Sequence, residues 1–202
     1  LFLLFFLVFV LFFVVFFCTY GSTIASHYPR LMSVHDADGN VLAAVGFRPG
    51  SEETLFLEQY LKQPVELVLK QTTGVAIPRS ELVEIGSLAS SGRGASIFLF
   101  VALAAYLRQL GFTYAVATAT DSMQHAFDFF GFELIELATA DRNALRDRGA
   151  SWGSYYVKNP KVVAGAIAPS FARLERFLPT EHNGDLDRVF SRTLQPLKDT
   201  AV

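Results

Sequence analysis

The hydrophobic pattern divides the chain near Tyr20. Residues 1–17 contain only Leu, Phe and Val, so no polar position marks a face. As a helix this run would span about 26 Å, close to the hydrocarbon thickness of a bilayer. From Tyr20 onward, apolar and polar positions mix as in a folded domain. Leu31 to His35 and Val41 to Phe47 are short, mostly apolar runs around Asp36-Ala37-Asp38-Gly39-Asn40. A central glycine free to take positive φ makes this a β-hairpin, closed by Pro49-Gly50-Ser51. Leu55 to Leu61 is a short apolar segment carrying Glu58 and Gln59. After Pro64, Val65 to Lys70 fits a helix, which Thr72-Thr73-Gly74 stops.

From Glu81 to Ala89, Leu82, Glu84 and Gly86 alternate with Val83, Ile85 and Ser87, which predicts a strand. The turn Ser90-Ser91-Gly92-Arg93-Gly94-Ala95 follows. Ser96 to Leu110 is apolar on nearly all sides, so it predicts a buried helix with Gly111 as its C′ residue. Thr113 to Thr120 reads as a strand and Met123 to Phe130 as a helix. Asp121 or Ser122 caps that helix and Gly131 ends it. Phe132 to Leu137 is another strand. The order β-α-β-α-β with short connections predicts an α/β (α+β) domain with a central parallel or mixed sheet flanked by helices. Past Ala168 the chain turns polar and is punctuated by Pro169, Pro179 and Pro196. Three parts result: an apolar helix over residues 1–19, a domain over 20–168 and a polar extension over 169–202.

Composition narrows the chemistry. The chain has 202 residues, one cysteine (Cys18) and a formal net charge of -2. A scattered set of Lys and Arg gives no basic field for nucleic acid. One cysteine excludes an intrachain disulfide and a cysteine-based metal site. The histidines, His27, His35, His125 and His182, have no metal-ligand spacing, so no metal is expected. The N-terminal run lacks the charged n-region of a signal peptide, and the first charge after it is Arg30. A membrane anchor and a buried helix both remain open for it. The expected location is cytoplasmic, with membrane association possible through residues 1–17.

The turn between the first long strand and the buried helix is the leading binding site. Its glycines let backbone approach a ligand closely. A helix N-terminus there offers free N–H groups and a positive dipole end, which suits phosphate, and Arg93 adds a charged donor. A tight strand-to-helix turn without ligand has the same glycine spacing. The nucleotide fingerprint G-x-G-x-x-G fails because position 97 is Ile, and no Lys-Ser/Thr completes a P-loop.

Ser90 to Ala95 resembles the pyrophosphate loop of GNAT-fold acyltransferases, Gln/Arg-x-x-Gly-x-Gly/Ala, without its leading Gln/Arg. Ala126-Phe127-Asp128-Phe129-Phe130-Gly131-Phe132 is similar to a later motif of that fold. Many of those enzymes carry a tyrosine, the proton donor for the leaving thiolate, where this chain has Phe127. Leu55 to Leu61, Val83 to Ala89 and Trp152-Gly153-Ser154-Tyr155-Tyr156, with Pro160 and Val163-Ala164-Gly165, look like the thermostable hemolysin family. That family has Asn where this chain has Ser87. Glu58 with Val83-Glu84-Ile85 also resembles acyl-homoserine-lactone synthases. The resemblance implies a GNAT-like three-layer fold. It also implies an acyltransferase that moves an acyl group from coenzyme A, or from the phosphopantetheine of acyl carrier protein, to an amine. Leu88, Ala89, Ser90, Gly92, Arg93, Gly94 and Ala95 would hold the thioester donor. The alternative is a membrane-lytic hemolysin without enzymatic activity.

Individual residues have two readings each. Glu58 and Glu84 lie in apolar surroundings, where a carboxylate must be paired, hydrated or raised in pKa. They serve either as base or ammonium site for the acceptor, or as ion-pair partners of Arg48 and Arg79 that hold the sheet. Arg48 meets substrate or Glu58, or is a surface charge. Trp152, Tyr155 and Tyr156 pack over the sheet edge, or wall an acyl chain, with Tyr155 supplying the hydroxyl missing at Phe127. A Ser-His-Asp hydrolase is disfavoured, since no Gly-x-Ser-x-Gly elbow is present.

Overall fold

A computed structural model of the chain describes residues 18–22, 28–90 and 95–177. The apolar run 1–17, Ser91 to Gly94 of the glycine-rich turn, and residues 178–202 lie outside the described residues. Among the described residues, no helix is long and apolar enough to cross a membrane, and no group of His, Cys, Asp and Glu is arranged to hold a metal.

Six strands form one sheet: β1 (Arg30–His35), β2 (Val41–Pro49), β3 (Leu82–Ser90), β4 (Tyr114–Ala119), β5 (Leu134–Thr139) and β6 (Lys161–Ala166). Their order is β1-β2-β3-β4-β6-β5. Only β3 and β4 are parallel; the other neighbours run antiparallel. Helices α1 (Val65–Thr73), α2 (Ala95–Gln109), α3 (Asp121–Phe129) and α4 (Ile167–Leu174) complete the α+β architecture. The expected mixed sheet flanked by helices is the one observed. The strands and helices read from Leu82 to Thr139 all exist, within two residues of their expected ends. One placement differs. β5 does not lie beside β4, because β6 inserts between them, and Lys161 to Ala166 did not stand out as a strand in the pattern. α4 runs across the division expected at 168, with Ile167 and Leu174 buried.

Alternate residues of the strands face two helical layers. On one face Val83, Phe47 and Val45 pack against Ala95, Leu99, Leu103 and Leu107 of α2. On the other, Leu82, Val116 and Val162 pack against Val65 and Leu69 of α1 and against Leu55 and Leu57. Leu55 to Leu61 forms a short 3-10 turn, Phe56–Tyr60. α1 ends as expected, with Gly74 at φ 75°.

Two irregularities in β3 shape the middle of the sheet. Ala44 pairs with Ala89 and Gly46 with Gly86. Val45 therefore stands opposite two residues, Ser87 and Leu88, which is a β-bulge. Ser87 takes φ 49°, a left-handed conformation unusual for serine. The second irregularity is a parting of strands. The β3–β4 ladder runs from Leu82↔Tyr114 to Ile85↔Ala117 and goes no further. Beyond it β4 stays paired with β6 as far as Ala119↔Lys161.

Candidate active site

Where β3 and β4 part, a cleft of about 1060 Å³, open mouth included, passes through the sheet. Its floor is Ile85 to Leu88 of β3 and Ala117 to Ala119 of β4. The two walls differ in chemistry. On the α2/α3 side stand Phe100, Met123 and Phe127; on the other stand Tyr20, Tyr28, Phe56, Tyr60, Trp152 and Tyr155. No Asp, Glu, Lys, Arg or His is among the described residues that line it.

The aromatic wall is built by edge and tilted ring contacts. Phe56 lies 5.5 Å from Trp152, Trp152 5.1 Å from Tyr155, and Tyr155 5.3 Å from Tyr20, between centroids. The Tyr155 hydroxyl donates to the Thr118 carbonyl at 3.1 Å, a backbone acceptor on the part of β4 that β3 no longer faces. The Tyr60 and Tyr156 hydroxyls share a 2.6 Å hydrogen bond. Burial pushes the phenols of Tyr28, Tyr60 and Tyr155 above their ordinary pKa. All three keep their protons at neutral pH.

Both candidate carboxylates hold this wall from behind and neither lines the cleft. Glu84 is 1% exposed. Its oxygens accept the Phe56 and Leu57 amides at 2.8 and 2.9 Å, and Arg48 Nη1 stands 3.7 Å away. Burial raises its pKa, against the lowering effect of the two amides and Arg48. Glu58 accepts the Leu55 and Val65 amides at 2.9 and 3.1 Å and a forked pair from Arg79 at 2.6 and 2.8 Å. Burial alone would raise the Glu58 pKa, but the Arg79 hydrogen bonds and the two amides outweigh it and lower it. Arg48 and Arg79 are thus the partners that hold the Phe56–Tyr60 segment to the sheet. Arg48 is buried; it also pairs with Glu53 at 2.9 Å and lies under the Tyr28 ring.

The remaining expected residues are distributed as follows. Leu88 faces the cleft at the bulge. Ala89 packs against Ala44, and Ala95 is buried at the start of α2. Ser90 is half-buried at the end of β3. Gly92, Arg93 and Gly94 lie outside the described residues. Trp152 and Tyr155 form the wall, while Tyr156 braces Tyr60 from the core side. Phe127 packs on Phe100 and Phe132, at 5.7 and 5.5 Å, and faces the cleft.

Sequence reasoning missed Tyr28, Phe56 and Tyr60. A signal for Tyr28 existed. Gly46 and Gly86 sit inside strands, where glycine marks close approach of another group. They are cross-strand partners, and a Cβ on either would stand within 3 Å of the Tyr28 side chain.

Behind Phe100 and Phe127 a second, apolar pocket of about 640 Å³ adjoins the cleft, the two sharing Ile85, Phe100, Ala117 and Phe127. Leu103, Leu107, Leu134 and Val163 form its depth.

Residues 10–171 match the family model described as thermostable hemolysin. No curated protein matches the chain. Among solved structures, the chain is similar to MesI, a CoA-dependent acyl-homoserine lactone synthase. That pair has 13% identity and a TM-score of 0.49, and covers 82% of this chain and 85% of that one. TofI, solved in a ternary complex with an inhibitor and MTA, gives 15%, 0.48, 71% and 67%. FeeM, an N-acyl amino acid synthase from uncultured soil microbes, gives 14%, 0.45, 71% and 75%.

Proposed function

The chain belongs to the thermostable hemolysin family, and from that premise we propose that it transfers an acyl group from a thioester to an amine. The observation that carries this reading is the parting of β3 and β4 at a bulge beside an apolar pocket. Among the described residues the β4-facing edge of β3 has no ladder partner past Ile85, so the backbone at Leu88 can meet a carbonyl. The acyl tail lies in the pocket behind Phe100 and Phe127, where its burial is favourable. The thioester carbonyl lies at the bulge. The donor's phosphates extend toward Ala95 at the start of α2, where the glycine-rich sequence Gly92-Arg93-Gly94 would hold them. Coenzyme A and acyl carrier protein both carry the pantetheine this path requires.

The amine approaches from the aromatic side. Its nitrogen attacks the carbonyl carbon, the C–S bond breaks, and the sulfur leaves as the thiol with the proton the amine gives up. Phe127 has no proton to give. In this reading Glu84 and Glu58 position Phe56 and Tyr60, and Tyr155 is a wall residue whose hydroxyl is held by Thr118.

Purified protein incubated with acyl-CoA or acyl carrier protein thioesters and a panel of amines, followed by mass spectrometry, is expected to give an amide. The absence of both product and thioester binding across the panel would sink the reading. The family's description supports a second reading, lysis of membranes. Erythrocyte lysis that requires residues 1–19 and is indifferent to Gly94→Trp would favour it over the enzyme.

A further inference from the structure

Tyr28 sits at the reacting end of the cleft and the sequence motifs do not include it. Its ring covers the Gly46–Gly86 pair, and its hydroxyl rests against Gly86: a Cβ there would lie 2.1 Å from Oη. Gly86 immediately precedes Ser87 of the bulge. The Arg48 guanidinium stacks on the ring, 5.1 Å from its centroid. The other phenols with known partners are committed: Tyr155 to the Thr118 carbonyl and Tyr60 to Tyr156. Tyr28 lines the cleft, and its hydroxyl has no hydrogen-bond partner among the described residues.

We propose that the Tyr28 hydroxyl is a catalytic hydrogen-bond donor to the carbonyl oxygen of the bound thioester, holding it as negative charge develops during attack by the amine. This rests on the acyl-transfer reading. No proton moves at Tyr28. Burial and the nearby Glu84 carboxylate, only partly offset by Arg48, raise its pKa, so the phenol stays protonated and donates. The two glycines are then the device that lets a full phenol lie on the strand next to the bulge.

Tyr28→Phe removes the oxygen and keeps the ring over the glycines. It is expected to lower kcat by about 100-fold, with KM for the thioester and the melting temperature unchanged. A second reading needs no turnover: the infrared carbonyl band of a bound acyl-CoA, labelled with ¹³C at the carbonyl, should shift down in the wild type and return in Tyr28→Phe. A variant with wild-type kcat, or an unchanged carbonyl band, overturns the role. A fall in activity caused only by a raised KM or a lowered melting temperature overturns it too, since that marks packing. A wild type that binds the thioester without transferring the acyl group overturns the acyl-transfer reading, and the carbonyl band then decides Tyr28 separately. A wild type that binds no thioester overturns both.

Discussion

Val83 to Ile85 has a partner strand on each side, whereas among the described residues Gly86 to Ser90 pairs with β2 alone. The first half of β3 is buried or half-buried and alternates between the two cores, Leu82 on one face and Val83 on the other. The second half begins with a glycine, takes a left-handed φ at Ser87 and faces a cleft. One nine-residue strand thus carries the centre of the fold at one end and the candidate site at the other. The difference teaches that the candidate site lies where a ladder ends early, leaving an edge of β3 without a strand partner among the described residues.

If the halves differ in this way, truncations should separate them. Leu82→Ala, at a fully buried position, is expected to cost about 3 kcal/mol by denaturant unfolding, against about 1 kcal/mol for half-buried Leu88→Ala. Equal losses would erase the distinction. Next in size, Gly86→Ala drives a methyl into the Tyr28 hydroxyl. We expect a loss of about 2 kcal/mol from overpacking, with thioester turnover lost alongside it. Ser87→Asn should act in the opposite direction, because Asn tolerates the left-handed region better than Ser. A gain of about 0.5 kcal/mol is expected, and a loss would show that the Ser87 side chain matters more than its backbone angle.

The smallest effect is in pH, and its sign distinguishes the two carboxylates. The raised folded pKa of Glu84 makes its contribution fullest below the ordinary value of 4.5 and lost as pH rises through the folded value. The lowered pKa of Glu58 makes its contribution present above 4.5 and lost as pH falls through the folded value. Between neutrality and pH 4.5, wild type should therefore gain melting temperature relative to Glu84→Gln as the pH is lowered. Relative to Glu58→Gln it should lose melting temperature on further acidification. Two curves of the same sign would contradict the hydrogen-bond assignments.

The legible parts of the chain are those where one rule governs. The alternation from Leu82 to Ile85, the mostly apolar α2 and the glycine stops at Gly74, Gly111 and Gly131 follow from local pattern, and each appears where expected. The same alternation continued through Gly86 and Ser87, but the bulge inserts a residue, so the period-two reading loses its register at the point where the site begins. β6 was hidden because its place between β4 and β5 is a long-range pairing with no local mark. Glu58 and Glu84 were visible as apolar-context carboxylates. Their partners, backbone amides of Leu55, Phe56, Leu57 and Val65, were not, since an amide carries no sequence signal. Tyr28 was overlooked because its meaning lies in two glycines that sit 40 residues apart in sequence and face each other only after β2 and β3 pair.

The insertion of β6 also sets a timetable. During synthesis β4 emerges with only a four-residue ladder to β3, and its other edge stays bare until Lys161 to Ala166 leave the ribosome. β5 is made earlier, but its strand partner among the described residues is β6, so it joins the sheet only when β6 pairs with β4. The cleft's β4 wall is therefore among the last surfaces to set, and a ribosome that stalls before Lys161 displays an unpaired strand edge, the kind of surface that chaperones bind.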